Sequence, residues 1–307
     1  MSRKVKDRPM TPEERVLWRR YRRDVLDMRI MDDVFMQSFF QGQKHFVQEV
    51  VRTIMDNDEL VVVRMSTQFK IASLHGHSTI LDVRAVDAAG RIYDIEIQRA
   101  DSGAGARRAR YYAALLDASA LKAGEDYEAL PEAYVIFITE EDVFGRDEAV
   151  YEFDRIARKC DLELNDGMHV LYVNGAKRTA PTRLGKMLHD FFCSNPDQMK
   201  NKEFAQRAKE LKQKTEGRAT MCRILERVKA RGIAEGEAKG RAEGEAKGRA
   251  EGEAKGLVKG RLAALQEMAR RMLAEGKLSL AKIAEYSGLA LREVRKLNAE
   301  MKKAAAL

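Results

Sequence analysis

The sequence predicts a mixed α/β fold of the α+β kind, followed by a long charged helical extension. Three observations carry that prediction. An aromatic stripe at helical spacing lies near the start, two alternating extended runs meet across a short Gly-ended loop, and another apolar run follows an intervening helical stretch. The 307 residues are 45% apolar, enough for a sizeable core, but 34% are charged, so part of the length must be solvated helix or linker.

Taken in order, residues 1–27 read as a basic arm, with Arg19, Arg20, Arg22 and Arg23 around Trp18 and Tyr21. Such a run is either a nucleic-acid contact or a solvated helix face. Over 31–56, Phe35, Phe39, Phe46, Val50 and Ile54 recur at near-helical spacing and predict one helix. Leu60–Thr67, Ser78–Asp87 and Arg91–Gln98 are extended runs. The last two are separated by Ala88, Ala89 and Gly90, a hairpin signal because glycine tolerates the positive φ of a bulged turn. A helix over 105–122, a strand at Ala133–Thr139, weaker strands near 149–154 and 168–173, and a helix over 182–193 complete a core spanning 28–197.

Residues 198–262 form a charged helix and a Gly-Glu-Ala-Lys repeat, with glycine at every fourth position from 232 to 260. Glu235/Lys239, Glu237/Arg241, Glu243/Lys247, Glu245/Arg249 and Glu251/Lys255 are spaced i, i+4 with the acid first, the better order on a helix. Each glycine costs about 1 kcal/mol relative to alanine, and each ion pair returns only about 0.2–0.5 kcal/mol. An isolated helix here should therefore be unstable, which leaves a flexible tether or a helix packed on a partner, and a homodimer through the C-terminal helical region is the form the second takes. In 263–307, Ile283, Leu289, Val294 and Leu297 line the inner side of two helices turning at Ser287-Gly288. That segment is either helix-turn-helix-like or a plain helical hairpin.

The net charge of +8 and a pI near 9.3 suit a polyanionic partner without fixing a fold. Cys160, Cys193 and Cys222 are widely separated and lack CxxC spacing, which argues against a disulfide framework or zinc ribbon and for a reducing cytoplasm. No apolar run is long enough for a membrane span, and the N-terminus lacks the apolar stretch of a secretory signal, so a cytoplasmic chain without a membrane partner is expected. There is no P-loop, GxSxG or GxGxxG, and His75-Gly-His77, the one close histidine pair, reads as a loop feature.

The hairpin concentrates the chemistry. Strand alternation puts Asp94, Glu96 and Gln98 on one face of 91–98, and Asp82 and Arg84 on one face of 79–87. Closing the hairpin over 88–90 sets Asp87 opposite Arg91, Arg84 opposite Asp94 and Asp82 opposite Glu96. Directly opposed residues hold their Cβ atoms about 4.5–5.5 Å apart. Two carboxylates that close repel unless a cation lies between them, and Mg²⁺ takes such oxygens. The plainer alternative is a wet hairpin made soluble by its Arg–Asp pairs, and spacing alone leaves both open.

The stretch STILDVRAVDAAGRIYDIEIQRADSGAGARRARYYAALLDASALKAGEDYEALPEAYVIFITEEDVFG, with STQFKIAS before it and NDGMHVLYVNGA and GKMLHDFFCSNPDQM after it, resembles the PD-(D/E)XK nuclease family transposases over about residues 30–222. The resemblance implies a restriction-endonuclease-like core, a central mixed sheet flanked by helices. It also implies metal-dependent cleavage of DNA, with Mg²⁺ as cofactor and Mn²⁺ as substitute. Carried over, Asp82 in ILD is the first metal carboxylate, Glu96 in IEIQ the second, and Gln98 stands where the nominal signature has lysine. Leu81 stands in place of the nominal proline. Glu49 in FVQEVVR is the candidate for the upstream helix acid that such nucleases often add to the metal site. Arg107, Arg108 and Arg110, ahead of Tyr111 and Tyr112, place cations at a helix start, against the macrodipole, and are candidate DNA-phosphate contacts. The function implied is an endonuclease promoting recombination or transposition-like rearrangement. The alternative is a non-catalytic DNA-binding or assembly protein with a degenerate core, whose binding would survive loss of both carboxylates.

Overall fold

The computed structural model describes residues 7–71, 79–99 and 104–304. His75, His77 and the first residues of the basic arm lie outside them. Helix α1 (Pro12–Asp27) starts with a reciprocal cap: the Thr11 hydroxyl accepts from Glu14 N–H at 3.2 Å, and the Glu14 carboxylate accepts from Thr11 N–H at 2.9 Å. It buries Tyr21 and Val25. The stretch expected as an arm or a solvated helix face is a helix packed through Tyr21 and Val25, with Arg19, Arg20, Arg22 and Arg23 on its exposed side. Two helices replace the single one expected over 31–56, α2 (Asp33–Phe40) and α3 (Lys44–Ile54). They break at Gly42, whose φ of +69° no helix interior accommodates. The break lets Phe39 turn back on Phe46, with ring centroids 5.3 Å apart.

The strands are β1 (Val62–Ile71), β2 (Thr79–Asp87), β3 (Ile92–Gln98), β4 (Ala133–Thr139), β5 (Val150–Phe153), the short pair β6 (Ile156–Ala157) and β7 (Leu162–Glu163), and β8 (Met168–Asn174). Six of them form one mixed sheet in the order β1-β2-β3-β4-β8-β5. β1, β2 and β3 run antiparallel, β3, β4 and β8 parallel, and β5 antiparallel to β8. Parallel β3 and β4 need a crossover, which α4 (Ala106–Ala120) supplies.

Side-chain alternation divides the sheet into two faces. Val83, Ala85, Tyr93, Ile95, Ile97, Ile136 and Val173 join a core made with α1, α2, α3, α5 (Arg183–Phe192) and α6 (Lys202–Gln213). Ile92, Val135, Phe137 and Tyr172 pack on the opposite face against Ala109, Tyr112 and Leu116 of α4. The first core continues past the expected boundary at 197. Phe204, Ala208 and Leu211 of α6, with Met221 and Cys222 at the start of α7 (Thr215–Glu275), are buried in it. Buried Lys212 donates to the carbonyls of Leu26, Met28 and Ser194, tying α6 to the end of α1. The compact unit ends at Val228.

The second unit begins at Lys229 and contains the rest of α7, α8 (Leu280–Ser287) and α9 (Leu291–Ala304). The glycine repeat runs as helix, and a Cβ added at any glycine from Gly232 to Gly260 would meet nothing within 4 Å. Of the acid-first pairs, Glu251–Lys255 forms at 3.7 Å, whereas Glu235 pairs back to Arg231 at 2.6 Å and Glu243 back to Lys239 at 3.8 Å. Fully solvated pairs this weak have little preference between partners. Among the described residues the three cysteines are free and no helix is long and apolar enough to cross a membrane.

Candidate active site

The β2–β3 ladder positions the site. Val83, Arg84, Ala85 and Val86 face Ile95, Asp94, Tyr93 and Ile92, the register that the loop length implied. Beyond Val83↔Ile95 the ladder changes partners. The Asp82 N–H donates to Glu96 Oε1 at 3.0 Å, and the Ile97 N–H donates to Asp82 Oδ2 at 3.1 Å. Each carboxylate thus takes a backbone donor from the other's strand, which fixes the two acids side by side. β1 contributes a kink: Gln68 adopts φ +53°, strained for a residue with a Cβ, and its amide reaches Asp82 Oδ1 at 3.5 Å. Opposite this kink the pleat slips, so Leu81 packs with the α4-side core while Val83 packs on the other face.

Burial dominates the electrostatics. Glu96 is 1% exposed. Its carboxyl is pushed up to about 8, first by desolvation and then by the Asp82 charge, against the lowering effect of the Asp82 N–H, Arg108 and a hydrogen bond from Gln98. Asp82 is raised to about 6 by desolvation, with the Asp33 charge adding to it and the Ile97 N–H, Arg108 and Gln68 opposing. Asp94 lies on the same face, is fully buried and has no hydrogen-bond partner on either carboxylate oxygen. Desolvation, then the charges of Glu96 and Asp82, hold its carboxyl well above the ordinary range. The ion pair expected between Arg84 and Asp94 does not form, although the two residues are in register. The Arg84 guanidinium instead lies 4.9 Å from the Phe69 ring. The expected Asp87–Arg91 pair does form, at 2.7 Å, and the Tyr93 hydroxyl donates to the same Asp87 oxygen at 3.0 Å.

The three arginines of α4 separate by face. Arg108 turns inward, its Nη2 3.3 Å from Glu96 Oε2 and its Nε donating to the Tyr112 hydroxyl at 2.8 Å. Arg107 and Arg110 are exposed. Glu49 is not brought to the acidic pair. It faces Arg183 of α5 at 3.2 Å and borders a cavity of about 260 Å³ lined by Thr53, Lys186, Lys200 and Asn201. α3 presents Phe46, Val47, Val50, Val51 and Ile54 to the sheet face away from α4 and leaves Glu49 beside α5. The helix acid whose charge does reach Asp82 is Asp33, in the first turn of α2. Arg99, directly after β3, donates to Asp32 at 2.8 Å and holds that helix start at the end of the strand.

The donor set fits a divalent cation. It is all oxygen, it is desolvated, and both carboxyls are driven toward their neutral forms, Glu96 by burial and the Asp82 charge and Asp82 by burial and the Asp33 charge, a strain that a bound dication relieves. A second cluster, Glu152, Asp154 and His169, offers atoms within 4.8 Å of one another. There both imidazole nitrogens already face carboxylates, Asp154 at 2.7 Å and Glu132 at 3.3 Å, and the acids are solvated.

Compared with known proteins, residues 34–228 match the family model described as PD-(D/E)XK nuclease family transposase. Neither the curated proteins nor the solved structures gave a match.

Proposed function

Because the chain belongs to the PD-(D/E)XK nuclease family transposases, we propose that it is a magnesium-dependent DNA endonuclease that hydrolyses phosphodiester bonds and promotes recombination or transposition-like rearrangement. The observation that carries this reading is the pair of desolvated carboxylates, Asp82 and Glu96, each fastened to the other's strand by a backbone hydrogen bond. Asp82 and Glu96 would hold the ion, and Asp33, whose charge acts on Asp82, takes the place expected for Glu49 as the helix acid. Bound there, the ion supplies Lewis-acid charge and acidifies water, with Mn²⁺ as a substitute.

The chain's own groups do the positioning. Gln98, hydrogen-bonded to Glu96, is the group that orients the water or contacts the scissile phosphate. Arg108, 3.3 Å from Glu96, lowers both carboxyls and offers its charge to the incoming phosphate. Arg107 and Arg110, exposed on the same helix, contact the flanking phosphates and set the duplex in register without reading sequence. A supercoiled-plasmid assay tests the proposal. Nicking requires Mg²⁺ or Mn²⁺ and disappears with Asp82→Ala or Glu96→Ala. Purified wild-type protein that leaves the plasmid intact with either metal ends this reading.

A further inference from the structure

The family match stops at residue 228, and the proposed cleavage site uses no residue beyond it. We propose that α8 and α9 form a helix-turn-helix that binds duplex DNA on its own account, with the outer face of α9 set into the major groove. The inference does not rest on the cleavage reading.

The turn is built for this motif. α8 has eight residues and begins at Ser279, whose hydroxyl accepts from Lys282 N–H at 3.4 Å. It ends at Gly288, with φ +70° and its N–H on the Ala284 carbonyl at 3.0 Å. The Ser287 hydroxyl donates to the Ile283 carbonyl at 2.6 Å, and the Glu293 carboxylate accepts from Ala290 N–H at 3.1 Å, closing the start of α9. Ile283, Leu289, Val294 and Leu297 then pack on Ala269 near the end of α7 as a small core of their own. A short helix, a three-residue turn with glycine and a longer second helix on a shared core is the arrangement in which the second helix enters the groove.

Charge decides what that second helix meets. At about 100° per residue, Arg292, Arg295, Lys296, Lys302 and Lys303 fall within an arc of about 120°, opposite buried Val294 and Leu297. Among the described residues none of these five cations forms an ion pair with a carboxylate, unlike Arg271, which pairs with Glu267 at 3.3 Å. Arg292 and Lys296 are like charges at i, i+4, and Arg292 lies in the first turn, where the macrodipole opposes a cation. A helix that bears those costs on one face is relieved by a polyanion. A second copy does not fit, because two-fold pairing would lay this basic face on itself.

The experiment uses the full chain in EDTA, so that no cleavage occurs, with a fluorescein-labelled 30-base-pair duplex read by anisotropy. Arg292→Gln/Arg295→Gln/Lys296→Gln keeps good helix formers at exposed positions. We expect affinity to fall at least about tenfold near physiological salt, and the slope of log K against log salt to shrink by about 3. The mass by light scattering stays unchanged. Unchanged affinity and slope overturn the proposal, and so does a lower mass with DNA binding intact, which would make the face a self-association surface. If the triple variant loses helicity at 222 nm, Lys302→Gln/Lys303→Gln in the last turn decides: a slope reduced by about 2 supports the proposal and an unchanged slope overturns it. Metal-dependent plasmid nicking is read separately, so failure here is distinguishable from failure of the nuclease reading.

Discussion

Replacing Glu96 by glutamine should stabilise the metal-free protein at neutral and alkaline pH while abolishing its response to magnesium. The Glu96 carboxyl titrates at about 8 in the fold against an ordinary value of 4.5. Between those two values the folded chain holds a proton that the unfolded chain has released, so stability is full below about pH 4.5 and is lost as pH rises toward 8. At pH 7 the penalty is at most about 3 kcal/mol, and at pH 5 it is under about 1 kcal/mol. Glutamine is never charged and keeps an acceptor for the Asp82 N–H. It gives up the contact with Arg108, a guanidinium 38% exposed, for which screening leaves less than about 1 kcal/mol. The net gain near pH 7 is then about 2 kcal/mol, or a rise in Tm of roughly 4–8 °C for a unit of this size. Thermal melts of wild type and Glu96→Gln in EDTA at pH 5, 7 and 8.5, repeated with 10 mM Mg²⁺, measure it. The two melting curves should converge at pH 5, diverge in favour of the variant as pH rises, and in magnesium only the wild type should gain. A variant that melts below wild type in EDTA at pH 8.5 would refute the claim that the acidic pair is strained by burial.

Further outcomes follow from the same geometry. Cleavage at limiting Mg²⁺ should climb between about pH 6 and 8, where Asp82 and Glu96 ionise, and higher Mg²⁺ should move that rise to lower pH, read from initial nicking rates. Arg108→Ala removes a charge that lowers both carboxyls, so the rising limb should move to alkaline pH, whereas Arg107→Ala/Arg110→Ala should weaken DNA binding with the limb in place. Asp94→Asn should raise Tm in EDTA at pH 8 by an amount that vanishes near pH 4, because Asp94 is buried without a partner and held neutral. Gly240→Ala and Gly244→Ala should each stabilise the helix by about 0.5–1 kcal/mol, seen as higher helicity, since a Cβ there meets open space. Gly217→Ala should do the reverse, because its Cβ would sit 2.1 Å from the Glu210 carbonyl oxygen.

The strands of the core were legible because their signals are local. Alternation in 79–87 and 91–98, with three residues between them, set both the hairpin and its register, and the structure has that register. The apolar run at Ala133–Thr139 after a helical stretch was legible as a strand, but that it pairs parallel to β3 is shown only by the structure. The helices were less legible at their ends. Phe35 through Ile54 keep a helical period across Gly42, and only the positive φ there shows two helices where periodicity shows one. The boundary at 197 placed charged helices outside the core, yet α6 is amphipathic and delivers Phe204, Ala208 and Leu211 to it. A high charge fraction hides an apolar stripe when the stripe is only one residue per turn wide.

The site divides along the same line between local and long-range information. Asp82 and Glu96 come together through a three-residue loop, so their proximity could be counted from the sequence. Asp33 and Gln68 are brought to Asp82 by the packing of α2 at the end of β3 and by a kink in β1, neither of which has a period to read. Glu49 was a reasonable candidate on a helix that does pack against β1, but one position of helical phase decides the outcome: Gln48 turns to the strand and accepts from Val62 N–H at 2.9 Å, and Glu49 turns to Arg183. Arg84 and Asp94 show the limit of register itself. Being opposite gave them the chance to pair, but Phe69 offered the guanidinium an aromatic face at 4.9 Å. Asp94 was left as a buried acid without a partner, its carboxyl raised first by desolvation and then by the charges of Glu96 and Asp82.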